Sequence, residues 1–170
     1  DNSVLEHGSG GDAFVQAGLG PAISEEEQER LIAEIRSDVE AGNGSLVDRF
    51  IGDVGISALA DMLKGNTTIS ELDLRGNRIG GIGGAALAVM LGQNSTLESL
   101  CMEWNSLGRD TTDFDTLARA VGKSPSLQII DFRNNRLGDQ CALALFRELK
   151  FNTKIHSVDL RWNNISDVVE

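Results

Sequence analysis

Hydrophobic residues along this chain follow two alternating periods. Short stretches with apolar residues at every second position are typical of buried strands. Between these stretches, apolar residues recur about every four positions, which is typical of helices. The alternating stretch returns in the same form four times, starting at residues 69, 97, 127 and 155. Self-similarity at a fixed spacing predicts a repeat architecture.

Each copy of the repeat fits the pattern L-x-x-L-x-L-x-x-N and has an aliphatic residue two positions after the asparagine. The asparagines lie 28, 30 and 28 residues apart: Asn77, Asn105, Asn135 and Asn163. The helical segments contribute two apolar columns that we expect to form their buried stripe: Leu59, Leu87, Leu117 and Leu145, then Leu63, Leu91, Val121 and Leu149. Each helix is expected to end at a segment containing Gly, Asn or Pro.

This pattern is that of the leucine-rich repeat, and its period resembles the ribonuclease-inhibitor-like subclass. It predicts an α/β solenoid, with a curved parallel sheet on the concave side and helices on the convex side. We expect the four repeated asparagines to be structural. Each would turn inward and satisfy backbone groups where the chain leaves a strand, because unpaired buried amides are unfavourable.

The sequence predicts three segments. Residues 1–20 are rich in glycine and have little periodicity, so we interpret them as a flexible tail or linker. Residues 21–45 are predicted to contain a capping helix over 24–41, which begins at a capping box and covers the N-terminal end of the solenoid.

Residues 46–170 form the predicted leucine-rich-repeat domain. Its first repeat is degenerate, because Arg49 replaces the asparagine and Gly44 the middle leucine. No helix follows the last predicted strand, so we expect the domain to be truncated at its C-terminus. The predicted strands lie near 71–74, 99–102, 129–132 and 157–160.

Composition and charge narrow the classes of partner. Hydrophobic residues make up 41% of the chain, which is sufficient for a core. The net charge of −11 argues against nucleic acid or an anionic membrane as the partner. Most of this charge belongs to residues 1–42, whose net charge is −8. Two cysteines and two histidines are too few for a disulfide framework or a metal cluster. We therefore expect a cytoplasmic location, no metal or other cofactor and no small-molecule substrate.

Two candidate reactive sites can be tested against the repeat. The segment Gly80–Gly84 lies between a strand and a helix, but it lacks both the G-x-G-x-x-G spacing and the lysine of a phosphate-binding loop. Cys101 and His156 fall on strands two apart and at positions of opposite parity, so their side chains should point to opposite faces. Neither site predicts catalysis.

A pair of carboxylates is a third candidate. Asp131 and Asp159 should be neighbours on the concave sheet, but Arg133 and Arg161 are expected to neutralise them diagonally. We interpret this arrangement as an ion-pair lattice. The sequence therefore predicts no catalytic residues and no enzyme activity.

The repeat also maps the concave face. Counted from the first leucine of the motif, position eight is Gly76, Trp104, Asn134 and Trp162. Exposed tryptophans beside arginines have the composition of a protein-interaction hot spot. In the alternative interpretation, each indole packs on neighbouring aliphatic stems and contributes stability. The predicted partner-binding residues are Glu103, Trp104, Arg133, Asp159, Arg161 and Trp162.

Three stretches, Glu103–Gly108, Asp131–Gly138 and Asp159–Ile165, together resemble the repeat region of the leucine-rich-repeat-containing protein 45 family. The resemblance covers residues 59–166. It implies a repeat domain followed by a long coiled coil, acting as a non-enzymatic linker at centrosomes or basal bodies. Two alternatives remain: a class of actin-filament-capping proteins, and regulators of a nucleotide-hydrolysing enzyme such as a nuclear-transport GTPase.

Overall fold

The computed structural model describes residues 24–109 and 111–166. The predicted tail at 1–20 and the chain end at 167–170 lie outside the described residues. The helices are α1 (Glu25–Glu40), α2 (Gly52–Leu63), α3 (Gly81–Leu91), α4 (Thr111–Lys123) and α5 (Asp139–Leu149). The strands are β1 (Glu71–Asp73), β2 (Ser99–Cys101), β3 (Ile129–Asp131) and β4 (Ser157–Asp159).

The four strands form one parallel sheet in the order β1-β2-β3-β4. Neighbouring strands pair in the register of the sequence repeat, so that Leu72 pairs with Leu100 and Ile130 with Val158. Successive helices pack against one another on one side of the sheet. This arrangement confirms the predicted α/β leucine-rich-repeat solenoid.

The core runs continuously between sheet and helices. The first predicted helical column, Leu59, Leu87, Leu117 and Leu145, is fully buried. Of the second column, Leu63, Leu91 and Val121 are buried, and Leu149 is partly buried. Burying one leucine side chain stabilises the fold by about 1.5–3 kcal/mol, so these columns contribute a large part of the driving force. Phe114 of α4 contacts Phe132 edge to face, with ring centroids 5.7 Å apart.

Helix α1 covers the N-terminal end of the repeats. Its N-terminus has the predicted capping box, in which the Glu27 backbone N–H donates to Ser24 and the Ser24 N–H donates to the Glu27 carboxylate at 2.8 Å. The Ser24 N–H and the Ser24 hydroxyl both donate to the Glu27 carboxylate, and these two bonds lower the pKa of Glu27. Ile35 and Val39 are buried, and α1 packs against α2.

Arg49 joins α1 to the first repeat. Its guanidinium lies 3.4 Å from Glu34 and 3.1 Å from Asp38, both on α1. Its backbone N–H donates to the side chain of Asn77 at 3.0 Å. In the described part of the chain, helix α1 and not another repeat precedes the first repeat, and Arg49 reaches this helix.

Gly44 lies where the first repeat passes close to β1. The chain passes so close to β1 that an added Cβ would lie 1.9 Å from the carbonyl oxygen of Glu71. No larger residue fits there without a shift of the backbone. The first repeat pairs with β1 only through an isolated bridge between Ser45 and Asp73.

Candidate functional site

The repeated asparagines link each repeat to the one before it. Oδ1 of Asn105 accepts the backbone N–H groups of Asn77 at 3.2 Å and Ile79 at 2.9 Å. Its Nδ2 donates to the Leu74 carbonyl at 2.9 Å. Asn77, Asn135 and Asn163 form equivalent bonds to the preceding repeat. These side chains are occupied within the fold and are not available to a ligand.

A second polar column was missed by the sequence analysis. Where each helix turns back to a strand, a side chain accepts backbone N–H groups two and three residues ahead: Asn66, Asn94, Ser124 and Asn152. Asn94 also donates to the Leu63 carbonyl at 2.7 Å, in the preceding repeat. The signal was present, because these residues have the same 28, 30 and 28 spacing as the first asparagine column.

The glycine segment at the start of α3 is already occupied by a carboxylate of the chain itself. The N–H groups of Gly80 and Gly83 donate to Oδ1 of Asp53 at 2.8 and 3.0 Å. Asp139 forms the equivalent contact with the segment that follows its own repeat: the Ser166 N–H donates to Oδ1 of Asp139 at 2.7 Å. The helix N-terminus therefore serves contacts between repeats, and the structure offers no phosphate cradle at Gly80–Gly84.

Ion pairs on the concave face run along the strands. Arg75, Arg133 and Arg161 each contact the aspartate two residues earlier, with N–O distances of 2.7, 2.5 and 2.6 Å. The predicted diagonal pairing is confirmed for Arg133, which lies 3.6 Å from Asp159, but among the described residues Arg161 forms no ion pair with Asp131. Arg133 also reaches Glu103 in the preceding repeat, at 2.9 Å. Two residues is the spacing at which strand side chains share a face, so the pairing along each strand satisfies both charges locally.

These contacts set the acidity of the aspartates. The hydrogen bond from Arg161 lowers the pKa of Asp159. For Asp73, burial acts to raise the pKa, but hydrogen bonds from Arg75 outweigh it and the pKa is lowered. Carboxylates held ionised in this way are poor proton donors.

Glu103 does not belong to the exposed binding surface. Its side chain lies 2.9 Å from the guanidinium of Arg133, and the residue is only 7% exposed. The amide of Asn134 also contacts it, at 3.4 Å. The prediction that Glu103 meets a partner is therefore corrected, because Arg133 and Asn134 lie against its carboxylate.

Cys101 and His156 do not form a dyad. The Cys101 thiol contacts the Asp131 carboxylate at 3.7 Å, whereas Nδ1 of His156 lies 3.3 Å from the Lys154 carbonyl. Burial, together with the negative charges of Asp131 and Asp73, raises the pKa of Cys101 to about 12. The thiol is protonated at neutral pH and is a weak nucleophile.

Position eight of the repeat has a left-handed backbone. The φ angles at Asp48, Gly76, Trp104, Asn134 and Trp162 are 54°, 70°, 57°, 53° and 58°. In this conformation the Trp104 N–H donates to the Arg133 carbonyl at 3.2 Å and the Asn134 N–H to the Arg161 carbonyl at 3.3 Å. Trp162 has the same conformation without such a bond among the described residues. Aspartate, glycine and asparagine suit left-handed angles, but a bulky side chain there is an outlier.

Trp104 and Trp162, the bulky residues at position eight, are also exposed. Their relative accessibilities are 64% and 65%, so neither indole is packed into the fold. A left-handed backbone recurs two positions later, at Phe50, Arg78 and Arg136. The guanidiniums of Arg133 and Arg161 lie 5.7 and 5.5 Å from the ring centre of Trp162, within the range of cation–π contact.

A shallow groove separates the two indoles. It has a volume of about 310 Å³, and its lining includes Trp104, Asn134, Arg136 and Trp162, which we call the tryptophan rim. Among the described residues, Arg136 has no ion-pair partner and neither indole N–H has a hydrogen-bond acceptor. Arg136 was not among the predicted site residues. A signal for it is present in the sequence, because Arg78 is an arginine at the same repeat position.

Two further features were searched for in the described part of the chain. No group of three or more His, Cys, Asp or Glu side chains within it could hold a metal ion. Over the same residues, no helix is long and apolar enough to cross a membrane.

Sequence comparison matches the Leucine Rich repeat family at residues 65–88 and 151–168. These segments contain β1 with the first part of α3, and β4 with its flanking turns. Comparison with curated proteins gives no significant match. The family match agrees with the repeat architecture that the structure shows.

Two solved structures share this fold. One is that of leiomodin-1 actin-binding site 2, with a TM-score of 0.66 and 23% identity, covering 84% of this chain and 81% of that one. The other is the tropomodulin C-terminal domain from Caenorhabditis elegans, with a TM-score of 0.62 and 18% identity, covering 79% of this chain and 82% of that one. At such identities the similarity shows a common fold.

Proposed function

We propose that this chain is a non-enzymatic protein-binding domain whose binding site is the tryptophan rim together with Asp159 and Arg161 beside it. One observation carries the proposal: two tryptophans are exposed in a left-handed backbone conformation that disfavours them. Strain of this kind is concentrated at functional sites. Tryptophan and arginine are also the residues most enriched in interaction hot spots.

The alternative, that the indoles stabilise the fold, has less support. Each indole is more than three-fifths exposed, so it buries little area against its neighbours. Of the two indoles, only Trp162 has cation–π partners among the described residues. Both partners are also held by ion pairs, Arg133 with Glu103 and Asp131, and Arg161 with Asp159. We infer that the indole surface is kept free for another protein.

For the partner, we propose a component of the cytoskeleton. The resemblance of residues 59–166 to the centrosome and basal-body linker family supports a linker at these structures. The test is imaging of the tagged full-length protein beside a centriole marker. Focal co-localisation that disappears in Trp162→Asn supports the linker, and a diffuse signal from the unmodified protein contradicts it.

Actin is a second candidate partner. The observation that favours it is the fold shared with leiomodin-1 actin-binding site 2 and with tropomodulin. Co-sedimentation with actin filaments tests it directly: binding that is lost in Trp104→Asn supports this candidate, and no sedimentation above background contradicts it. Regulation of a GTPase has no supporting observation and is not proposed.

The general proposal is tested by affinity capture with matched variants. We expect a set of proteins to be retained by the unmodified chain and lost with either Trp104→Asn or Trp162→Asn. Phe151→Ala serves as the control, because Phe151 is an exposed aromatic residue on the turn after α5, away from the tryptophan rim. Equal capture by the unmodified chain and the three variants would exclude the rim as the binding site.

A further inference from the structure

We propose that the tryptophan rim binds a proline-rich segment of the partner in the polyproline II conformation, with acidic residues flanking the prolines. This proposal rests on the proposed function and specifies the chemistry of the partner at the same site. It is carried by the spacing of the two indoles, their free hydrogen-bond donors and the charge around the groove.

The spacing of the indoles matches the polyproline helix. Trp104 and Trp162 occupy the same position in repeats that are two strands apart, with Asn134 between them. Two intervals between neighbouring strands amount to about 10 Å. A polyproline II helix advances about 9 Å in each turn of three residues. Prolines one turn apart can therefore pack against both indoles at the same time.

The hydrogen-bonding groups of the groove are also complementary. A polyproline helix has no internal hydrogen bonds, so its backbone carbonyls remain free to accept. The two indole N–H groups are donors without an acceptor among the described residues. Aromatic-lined grooves with such donors are the usual surface for this kind of ligand.

Other peptide conformations fit the groove less well. A strand added to a sheet needs a free backbone edge. Between the indoles, the N–H groups of Trp104 and Asn134 are already bonded to the next repeat, at 3.2 and 3.3 Å. A free edge of the described sheet lies at β4, but a strand added there would run along β4 and not across the groove between the indoles. A segment crossing the ends of the strands must therefore be recognised through side chains, which is how polyproline segments are bound.

The charge near the groove favours acidic flanks. Arg136 lines the groove, is exposed and has no counter-charge within the described part of the chain. Arg161 lies beside Trp162 and is itself largely exposed. Carboxylates next to the prolines would pair with these guanidiniums and fix the register of the segment.

Intrinsic fluorescence provides a selective test, because the chain has two tryptophans and no tyrosine. The probe is an oligoproline peptide flanked by glutamates, titrated into the full chain. We expect a saturable change in tryptophan emission. A glycine–serine peptide with the same flanks should give none, and an oligoproline with lysine flanks should bind more weakly.

Variants then locate the binding. Trp104→Asn and Trp162→Asn each leave one tryptophan as reporter, and each should weaken binding about tenfold or more. Arg136→Glu should weaken the glutamate-flanked peptide and have little effect on an uncharged oligoproline. Phe151→Ala should bind as the unmodified chain does, and Trp104→Phe should retain part of the affinity. Far-UV circular dichroism confirms that each variant is folded.

Two outcomes would overturn the proposal: no saturable change with the glutamate-flanked oligoproline, or equal binding of the glycine–serine peptide. If the peptide fails but affinity capture still depends on Trp104 and Trp162, the rim binds proteins through another conformation and the proposed function stands. If capture is also insensitive to both tryptophans, the proposed function fails as well.

Discussion

Trp104 and Trp162 have a left-handed backbone that recurs at position eight of each described repeat. The position-eight N–H donates to the next repeat at Gly76, Trp104 and Asn134, and Trp162 has the same conformation without that bond among the described residues. A non-glycine residue in this conformation costs about 1–3 kcal/mol. Asp48, Gly76 and Asn134 occupy the same position in other repeats, so this backbone conformation does not require tryptophan.

The aspartates of the concave face predict how stability depends on pH. Asp73 and Asp159 have lowered pKa values in the folded chain. Their contribution to stability is therefore fully present above the unfolded-state value of about 3.9, and it is lost as the pH falls through the folded-state pKa.

We expect Asp159→Asn to reduce the loss of stability between pH 7 and strong acid. Because Arg161 is largely exposed, the difference should be small, at most about 1 kcal/mol. Urea unfolding at pH 7 and in strong acid measures this difference in the free energy of unfolding. Arg161→Gln should reduce the same dependence, since it removes the hydrogen bond that lowers the Asp159 pKa. Identical pH profiles for both variants and the unmodified chain would contradict this account.

At the scale of elements, the asparagine columns hold the repeats in register. Asn135 donates to the carbonyls of Met102, Phe132 and Arg133 at 2.7, 3.2 and 2.9 Å, and it is fully buried. Its removal leaves buried backbone groups without partners, at a cost of about 1–3 kcal/mol for each group.

We expect Asn135→Ala to lower the free energy of unfolding by about 3 kcal/mol or more. The matched control is Asn164→Ala, because Asn164 is exposed and forms only backbone contacts. The control should change stability by less than about 0.5 kcal/mol. Chemical denaturation measures both variants, and equal stabilities would show that the column does not hold the repeats together.

Helix α1 depends on Arg49 for its attachment. Arg49→Ala should speed hydrogen exchange of the α1 amides and lower stability by about 1 kcal/mol, because it breaks the pairs with Glu34 and Asp38. Arg30→Ala is the control, since Arg30 pairs with Glu26 inside the same helix and is exposed. Exchange in α1 that is equally fast in both variants would contradict the docking role of Arg49.

For the whole molecule, the spacing of leucines and asparagines was sufficient to predict the solenoid. Apolar columns such as Leu59, Leu87 and Leu117 determine which faces are buried, and a fixed spacing determines which residues align. Both are properties of the pattern alone. The capping box at Ser24 was predictable for the same reason, because it depends on residues three positions apart.

The details of the candidate site required three-dimensional information. The left-handed backbone at position eight is a feature of the folded repeat, and the burial of Glu103 results from Arg133 and Asn134 lying against it. The contact of Asp53 with the N-terminus of α3 could not be predicted locally, because its partners, Gly80 and Gly83, lie a full repeat away in the sequence. Contacts between repeats determine these features, and the sequence of a single repeat does not predict such contacts.

Polar groups on the concave side of the molecule fall into two sets. Ion pairs neutralise most charges on the concave strands, and asparagines occupy the turns, so these surfaces are satisfied within the fold. The tryptophan rim differs, because its indoles and Arg136 remain without polar partners among the described residues. Under the proposed function, the columns stabilise the fold and the rim binds the partner.

The most direct test of this assignment is the free energy of unfolding of the double variant Trp104→Asn/Trp162→Asn, followed by far-UV circular dichroism in urea. Asparagine is better suited than tryptophan to a left-handed backbone. If the indoles serve recognition, the double variant should be as stable as the unmodified chain or more stable by about 1 kcal/mol. A loss of more than about 1 kcal/mol would show that the indoles support the fold, and it would contradict the account.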